Sequence, residues 1–134
     1  MKHYIGVKLI KAEPQLKDDV EGYKVVYSQP DESEYTSWSP KDVFEEAYRE
    51  VNGMSFGLAI EALKKGKKLA RSGWNGKGIF IELQVPDKNS KMTSPYIFID
   101  TTGLETTNEK APKSRVPWLA SQTDMLADDW QIIN

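Results

Sequence analysis

Two short segments hold most of the side chains able to recognise or transform a ligand. The first is Arg71-Ser-Gly-Trp-Asn-Gly-Lys-Gly78. Its three glycines let the backbone approach a ligand and turn amide N–H groups inward, a nest that suits phosphate oxygens. Arg71 and Lys77 add countercharge, and Trp74 and Asn75 add an aromatic face and an amide. The segment is no Walker loop, because the Gly-Lys-Ser/Thr ending on a helix is missing. Nor is it a dinucleotide fingerprint, since a helix is expected before it and a strand after it. The same spacing also describes a glycine-rich hairpin turn with Trp74 folded into the core, and the residues alone leave both readings open.

The second segment is Pro117-Trp-Leu-Ala-Ser-Gln-Thr-Asp-Met125. Trp118 offers a face for a base, and such stacking is worth roughly 1–3 kcal/mol per base. Ser121, Gln122, Thr123 and Asp124 bring hydroxyl, amide and carboxylate groups to a helix N-terminus, where free N–H groups favour an anion. Asp124 can accept from a ribose hydroxyl or a base amine. The competing explanation is an ordinary capping turn with Asp124 placed to suit the helix dipole.

Composition removes much of the usual catalytic inventory. The 134 residues include no cysteine and one histidine, His3, against 4 Trp, 6 Tyr and 4 Phe. Disulfide frameworks, thiolate nucleophiles and cysteine zinc sites are therefore excluded, and a Ser-His-Asp triad or a multi-histidine metal site is not expected. Asp128-Asp129 has the look of a paired carboxylate, but neighbours in a strand point to opposite faces, so no metal pair is expected there. No catalytic residue, metal or cofactor is expected. Platforms and donors without nucleophiles suggest binding rather than chemistry.

The 18 basic and 20 acidic residues give a net charge of −2, unlike a duplex-coating protein with a strongly basic face. The distribution is uneven: residues 1–52 carry 7 basic and 11 acidic side chains, residues 53–134 carry 11 and 9. Lys64, Lys65, Lys67, Lys68, Arg71 and Lys77 occur with no acid between Glu61 and Glu82. They form a local basic field, although lysines at a helix end also simply complement its dipole. No apolar stretch approaches the roughly 20 residues needed to span a bilayer, and the opening Met-Lys-His-Tyr-Ile-Gly carries no signal core. A cytoplasmic protein without membrane contact is expected.

The elements that must position these segments follow from periodicity. His3 to Ala12 alternates, with Ile5, Val7 and Leu9 on one face, and reads as a strand; Tyr23, Val25 and Tyr27 repeat the pattern. Gln29 to Glu34 is a polar loop. Ser39-Pro40 then opens a helix with Ser39 as N-cap and Pro40 in its first position, carrying Val43, Phe44, Ala47, Tyr48 and Val51 and ending at Asn52-Gly53. Trp38 is expected to staple that helix. This is a ββα module over residues 1–52.

The second module covers residues 53–134. Ser55 caps a helix with Phe56, Ala59, Ile60 and Leu63 inward and Gly66 as its left-handed stop. Lys67 to Arg71 is a short strand, Ile79 to Val85 an alternating one and Tyr96 to Asp100 another, with a polar loop from Thr101 to Ser114. The chain closes with a strand at Val116, a helical turn from Thr123 or Asp124, and a strand through Trp130, a core residue, and Ile132. The class is α+β: a small antiparallel sheet with helices in each module.

Taken together, Leu-Lys-Lys-Gly-Lys-Lys, the Arg71 to Gly78 segment, Ile-Phe-Ile-Glu-Leu-Gln, Ser-Pro-Tyr-Ile and the Val116 to Trp130 ending resemble the phage Thoeris anti-defence protein 2 family over residues 54–134. The resemblance implies a homotetrameric sponge. Such a sponge sequesters, intact, the cyclic ADP-ribose-type signal, glycocyclic ADP-ribose, made by the bacterial Thoeris defence. Some relatives also hold cyclic oligonucleotide signals at separate sites. It further implies Trp74 and Trp118 as base or ribose platforms, Asn75, Gly76 and Lys77 as phosphate and ribose contacts, and Ser121, Gln122, Thr123 and Asp124 as the polar wall. Pockets would form where subunits meet, in a phage- or prophage-encoded protein inside the host cell. Residues 1–52 depart from the minimal family pattern. They resemble small modules of other phage proteins, marked by Tyr23-Lys24-Val25-Val26 and Trp38-Ser-Pro-Lys-Asp-Val-Phe, to which no activity attaches. The same residues also admit a single-stranded nucleic-acid-binding or virion-associated module, or an enzyme opening a cyclic nucleotide with Asp124 as general base.

Overall fold

The computed structural model describes all 134 residues, which divide into two compact units, Met1–Arg49 and Glu50–Asn134. Both are α+β with antiparallel sheets.

The first unit has three strands, β1 (Lys11–Pro14), β2 (Gly22–Ser28) and β3 (Glu34–Pro40), in that order across the sheet, and a helix α1 (Lys41–Ala47). It is therefore βββα rather than ββα. The third strand uses Tyr35-Thr-Ser-Trp38, residues that suit a pleated surface. It runs through Pro40, so Ser39 pairs with Tyr23 in the ladder and cannot cap the helix; Pro40 is the N-cap, without a side-chain hydrogen bond. The helix stops at Ala47, where Arg49 donates to the carbonyls of Glu45, Glu46 and Tyr48. Val51 lies beyond it.

The strand expected at His3 to Ala12 begins only at Lys11. Lys11 pairs with Val26, so continuing that register backwards sets Leu9 against Ser28 and Val7 against Pro30. Strand β2 ends at Ser28, and Gln29 to Ser33 turns back on itself through Gln29 N–H to the Ser33 carbonyl at 2.8 Å. Residues 1–8 thus outrun the strand that could pair with them. Val25 is fully buried, and Tyr23 stacks on Phe44 at 4.1 Å between centroids. Trp38 does not staple α1; its Nε1 donates to the Gln15 carbonyl at 3.0 Å.

The second unit follows the expected path closely. Helix α2 (Phe56–Lys64) is capped by Ser55, whose Oγ accepts from Leu58 N–H, and ends at Gly66 with φ +82°. Strands β4 (Lys68–Arg71), β5 (Phe80–Gln84), β6 (Tyr96–Asp100), β7 (Arg115–Pro117) and β8 (Trp130–Ile133) form one sheet in the order β7-β6-β5-β4-β8. A five-residue helix, α3 (Gln122–Leu126), joins β7 to β8. Cross-strand partners share a face, so Leu69, Ile81, Ile99 and Ile132 line one side of the sheet. They pack with Met54, Ala59, Ala62, Leu63 and Trp130 into the core. The β4–β8 register sets Arg71 opposite Trp130, which delivers the start of the glycine-rich segment to the edge of that core. No helix is long and apolar enough to cross a membrane.

Candidate functional site

The two segments singled out in the sequence come together, and Arg71 joins them. It stands at the end of β4 with its side chain 14% exposed. Its Nη1 donates to Asp124 Oδ1 at 3.0 Å and its Nε to Asp129 Oδ1 at 2.8 Å. One guanidinium therefore ties the 71–78 loop to α3 and to the chain just before β8. The planar fork of arginine makes this double engagement feasible where a lysine would offer a single point charge.

Asp124 is the hub. Its Oδ1 also accepts from Trp74 Nε1 at 3.2 Å, and its Oδ2 accepts from Ser121 N–H at 3.1 Å and Ser121 Oγ at 2.8 Å. Asp124 N–H donates back to Ser121 Oγ, completing a capping box at the start of α3. The Asp124 carbonyl accepts Trp130 Nε1 at 2.9 Å. Burial opposes ionisation of this carboxylate, but the hydrogen bonds from Ser121, Trp74 and Arg71 outweigh it and hold its pKa below the ordinary 3.8. A carboxylate so engaged is a poor proton acceptor.

Asp129 is the residue the sequence reading missed. It accepts from Arg71 and from Gly73 N–H at 2.8 Å, while its carbonyl accepts Ser72 N–H. The Arg71 hydrogen bond is the main cause of its lowered pKa, and the two carboxylates in turn raise that of Arg71. Nothing local in Asp-Asp-Trp signals this, because the partner lies 58 positions earlier.

The nest therefore looks inward over its first half. Ser72 and Gly73 N–H groups are engaged by Asp129, and Trp74 N–H by the Arg71 carbonyl at 3.2 Å. Lys77 Nζ donates to the carbonyls of Ser72 and Trp74 at 2.9 and 3.1 Å, closing the loop on itself. The second half rests on the loop after β6: Glu105 N–H donates to the Lys77 carbonyl at 2.9 Å. Gly78, at φ +85°, passes so close to the Gly103 carbonyl that no side chain fits there. Asn75 is exposed, as are Gln122 and Thr123, and their side chains have no partner in the chain.

The aromatic residues form a cluster rather than two free plates. Trp74 and Trp118 are both half-buried, with centroids 6.3 Å apart and planes at 66°. Each also meets the fully buried Trp130 edge-on, at 5.3 and 6.0 Å, and Phe56 closes the group. Around them Val116, Leu119, Met125 and Leu126 are exposed, Leu119 at 91%. The arrangement can present two partly open indoles, with the exposed amide and hydroxyl groups of Asn75, Gln122 and Thr123 on the same two segments. No cluster of potential metal-binding side chains occurs.

Two comparisons with known proteins bear on this unit. Residues 54–133 match the family model described as the Thoeris anti-defense 2-like domain. A curated relative, Thoeris anti-defense 2 of Bacillus phage SP01, is 37% identical over 94 residues, which covers 60% of this chain and 96% of that protein.

Proposed function

The chain belongs to the family of Thoeris anti-defense 2-like domains, and from that premise we propose that it is a phage anti-defence sponge. It captures a cyclic ADP-ribose-type signalling nucleotide and holds it unbroken. The observation that carries the reading is the state of Asp124: its carboxylate accepts four internal hydrogen bonds, two on each oxygen, one of them from Trp74 Nε1. Such a site favours holding over cutting. General-base catalysis needs an open carboxylate with a raised pKa, and here both conditions are reversed.

In this account Trp74 and Trp118 supply base or ribose contacts, and Asn75, Gly76, Gln122 and Thr123 the polar ones. Arg71, Lys77, Ser121 and Asp124 act one step back, fixing the two segments in place. Lys77 reaches a phosphate only by releasing the loop carbonyls, so its contribution is the smaller. The exposed Val116, Leu119, Met125 and Leu126 support a subunit contact beside the site, and with it the homotetramer.

Mixing the purified protein with glycocyclic ADP-ribose tests the reading. Free nucleotide should disappear from an ultrafiltrate and return with unchanged mass after heat denaturation. Recovery of a hydrolysed product would overturn it in favour of an enzyme, and native mass spectrometry of the same mixture reports subunit and ligand counts.

A further inference from the structure

The alternating segment at the start of the chain has no place in the function above, and it is the largest apolar feature left without a partner. Tyr4 is 89% and Ile5 101% exposed, and Val7 and Leu9, which alternate with Ile5 in the sequence, are exposed as well. We propose that residues 3–9 form an exchange arm: the arm of one copy adds as an extra strand to the β3 edge of a second copy.

Strand β3 pairs with β2 on one side alone, so its other edge carries unpaired backbone groups that template a strand. Charge selects the arm for it. Residues 1–12 contain Lys2, Lys8 and Lys11 and no acid; residues 28–40 contain Asp31, Glu32 and Glu34 and no Lys or Arg. Antiparallel pairing with Lys8 opposite Glu34 puts Val7 opposite Tyr35, Ile5 opposite Ser37 and Tyr4 opposite Trp38. Ser37 is the cross-strand partner of the buried Val25, so Ile5 and Val7 land on the face that carries the core of this unit. A slip of one residue would turn both to the opposite face and take Lys8 away from Glu34. Hydrophobic and charge registers thus agree on one alignment. Glu34 then lies between Lys8 and its own chain's Lys11, 3.8 Å away, and Lys8 leaves the Tyr27 ring it now overlies at 5.0 Å.

The arm cannot reach its own β3 in this way. Leu9 would lie beside Ser33, three strand spacings of about 4.8 Å from β1, where Lys11 is fixed. Two residues span at most about 7 Å. The acceptor must be another copy.

The absence of cysteine makes the test direct. Two differently tagged full-length chains, one Ile5→Cys and one Ser37→Cys, are mixed and mildly oxidised. The mixed disulfide should exceed that between Ile5→Cys and an exposed Lys88→Cys by roughly tenfold, because paired strands hold the thiols at high effective concentration. Lys8→Glu on the arm should lower the yield, and Glu34→Lys on the acceptor should restore it. The pair Val7→Cys with Tyr35→Cys reads the same register independently. Yields no higher than the Lys88→Cys control in both pairs overturn the proposal, as does an intrachain disulfide in the Ile5→Cys/Ser37→Cys double variant. Association through the second unit would raise every thiol pair of the first units alike, so the register is read against Ile5→Cys with Thr36→Cys, one residue out of step on the same strand, whose yield equal to that of Ile5→Cys with Ser37→Cys also overturns the proposal.

Discussion

The two units handle charge and apolar surface in opposite ways. Residues 50–134 bury Met54, Ala59, Ala62, Leu63, Leu69, Ile81 and Trp130 in one cluster. Residues 1–49 bury Val25 as their one apolar side chain below the surface and otherwise rely on stacked rings, Tyr23 on Phe44 and Phe44 on Tyr48. The ion pairs divide likewise, apart from the exposed Lys64–Glu61 pair on α2 at 3.6 Å. Lys11–Glu34, Lys24–Glu13 and Lys41–Glu21 lie at 3.5–3.8 Å with every side chain at least 40% exposed. Arg71–Asp124, Arg71–Asp129 and Arg115–Asp100 lie at 2.8–3.0 Å with carboxylates 5–29% exposed. Surface pairs of the first kind add little, whereas breaking a buried pair strands a charge. The lesson is one of placement: the candidate site lies where packing and hydrogen bonding over-determine the backbone, and the arm lies where neither does.

The comparison can be broken at its strongest point first. Trp130→Ala removes the largest buried side chain and should cost about 3–5 kcal/mol. Hydrogen exchange resolved along the chain should show protection lost in residues 50–134 and kept in β2 and β3. Equal loss in both units would contradict a Trp130 core confined to residues 50–134. Arg71→Ala leaves Asp124 and Asp129 without their shared cation; with Asp129 partly open to water, the expected loss in urea denaturation is about 2 kcal/mol. Arg71→Lys should recover less than half of it, because an ammonium cannot fork between two carboxylates.

Acid sharpens the contrast further. Hydrogen bonds from Thr102, then from Arg115, hold Asp100 at about 2, and Asp124 and Asp129 are also lowered from 3.8. A depressed carboxylate contributes stability that is complete above its unfolded pKa and disappears as pH falls through its folded value. The second unit should therefore lose denaturation midpoint progressively below pH 3.8, and Asp100→Asn should flatten that decline. The smallest effect belongs to the first unit: Lys24→Ala, which removes the exposed pair with Glu13, should change stability by less than about 0.5 kcal/mol.

Local rules carried the second unit far. Ser55 and Gly66 bracket α2 where capping and left-handed backbone require, and alternation from Ile79 to Val85 marks β5. Ser-Gln-Thr-Asp, a serine followed three places later by an acid, held its own explanation as a capping box. What stayed hidden was pairing across distance. Arg71 looked like countercharge for a phosphate because neither Asp124 nor Asp129 is near it in sequence. Lys77 looked free for the same purpose because loop closure onto carbonyls leaves no residue pattern. In the first unit the alternation of residues 3–12 was real, but a strand needs a partner of matching length, and the hairpin after Ser28 denies it one.

The central claim, that Trp74 and Trp118 hold a cyclic ADP-ribose-type nucleotide without breaking it, is open to one spectrum. In the ¹⁵N-labelled protein the four indole N–H signals report each Trp separately during a titration with glycocyclic ADP-ribose. The signals of Trp74 and Trp118 should shift to saturation and stay there for hours, with that of Trp38 unmoved. Unshifted Trp74 and Trp118 signals, or shifts that decay as a cleaved nucleotide accumulates, would contradict the account.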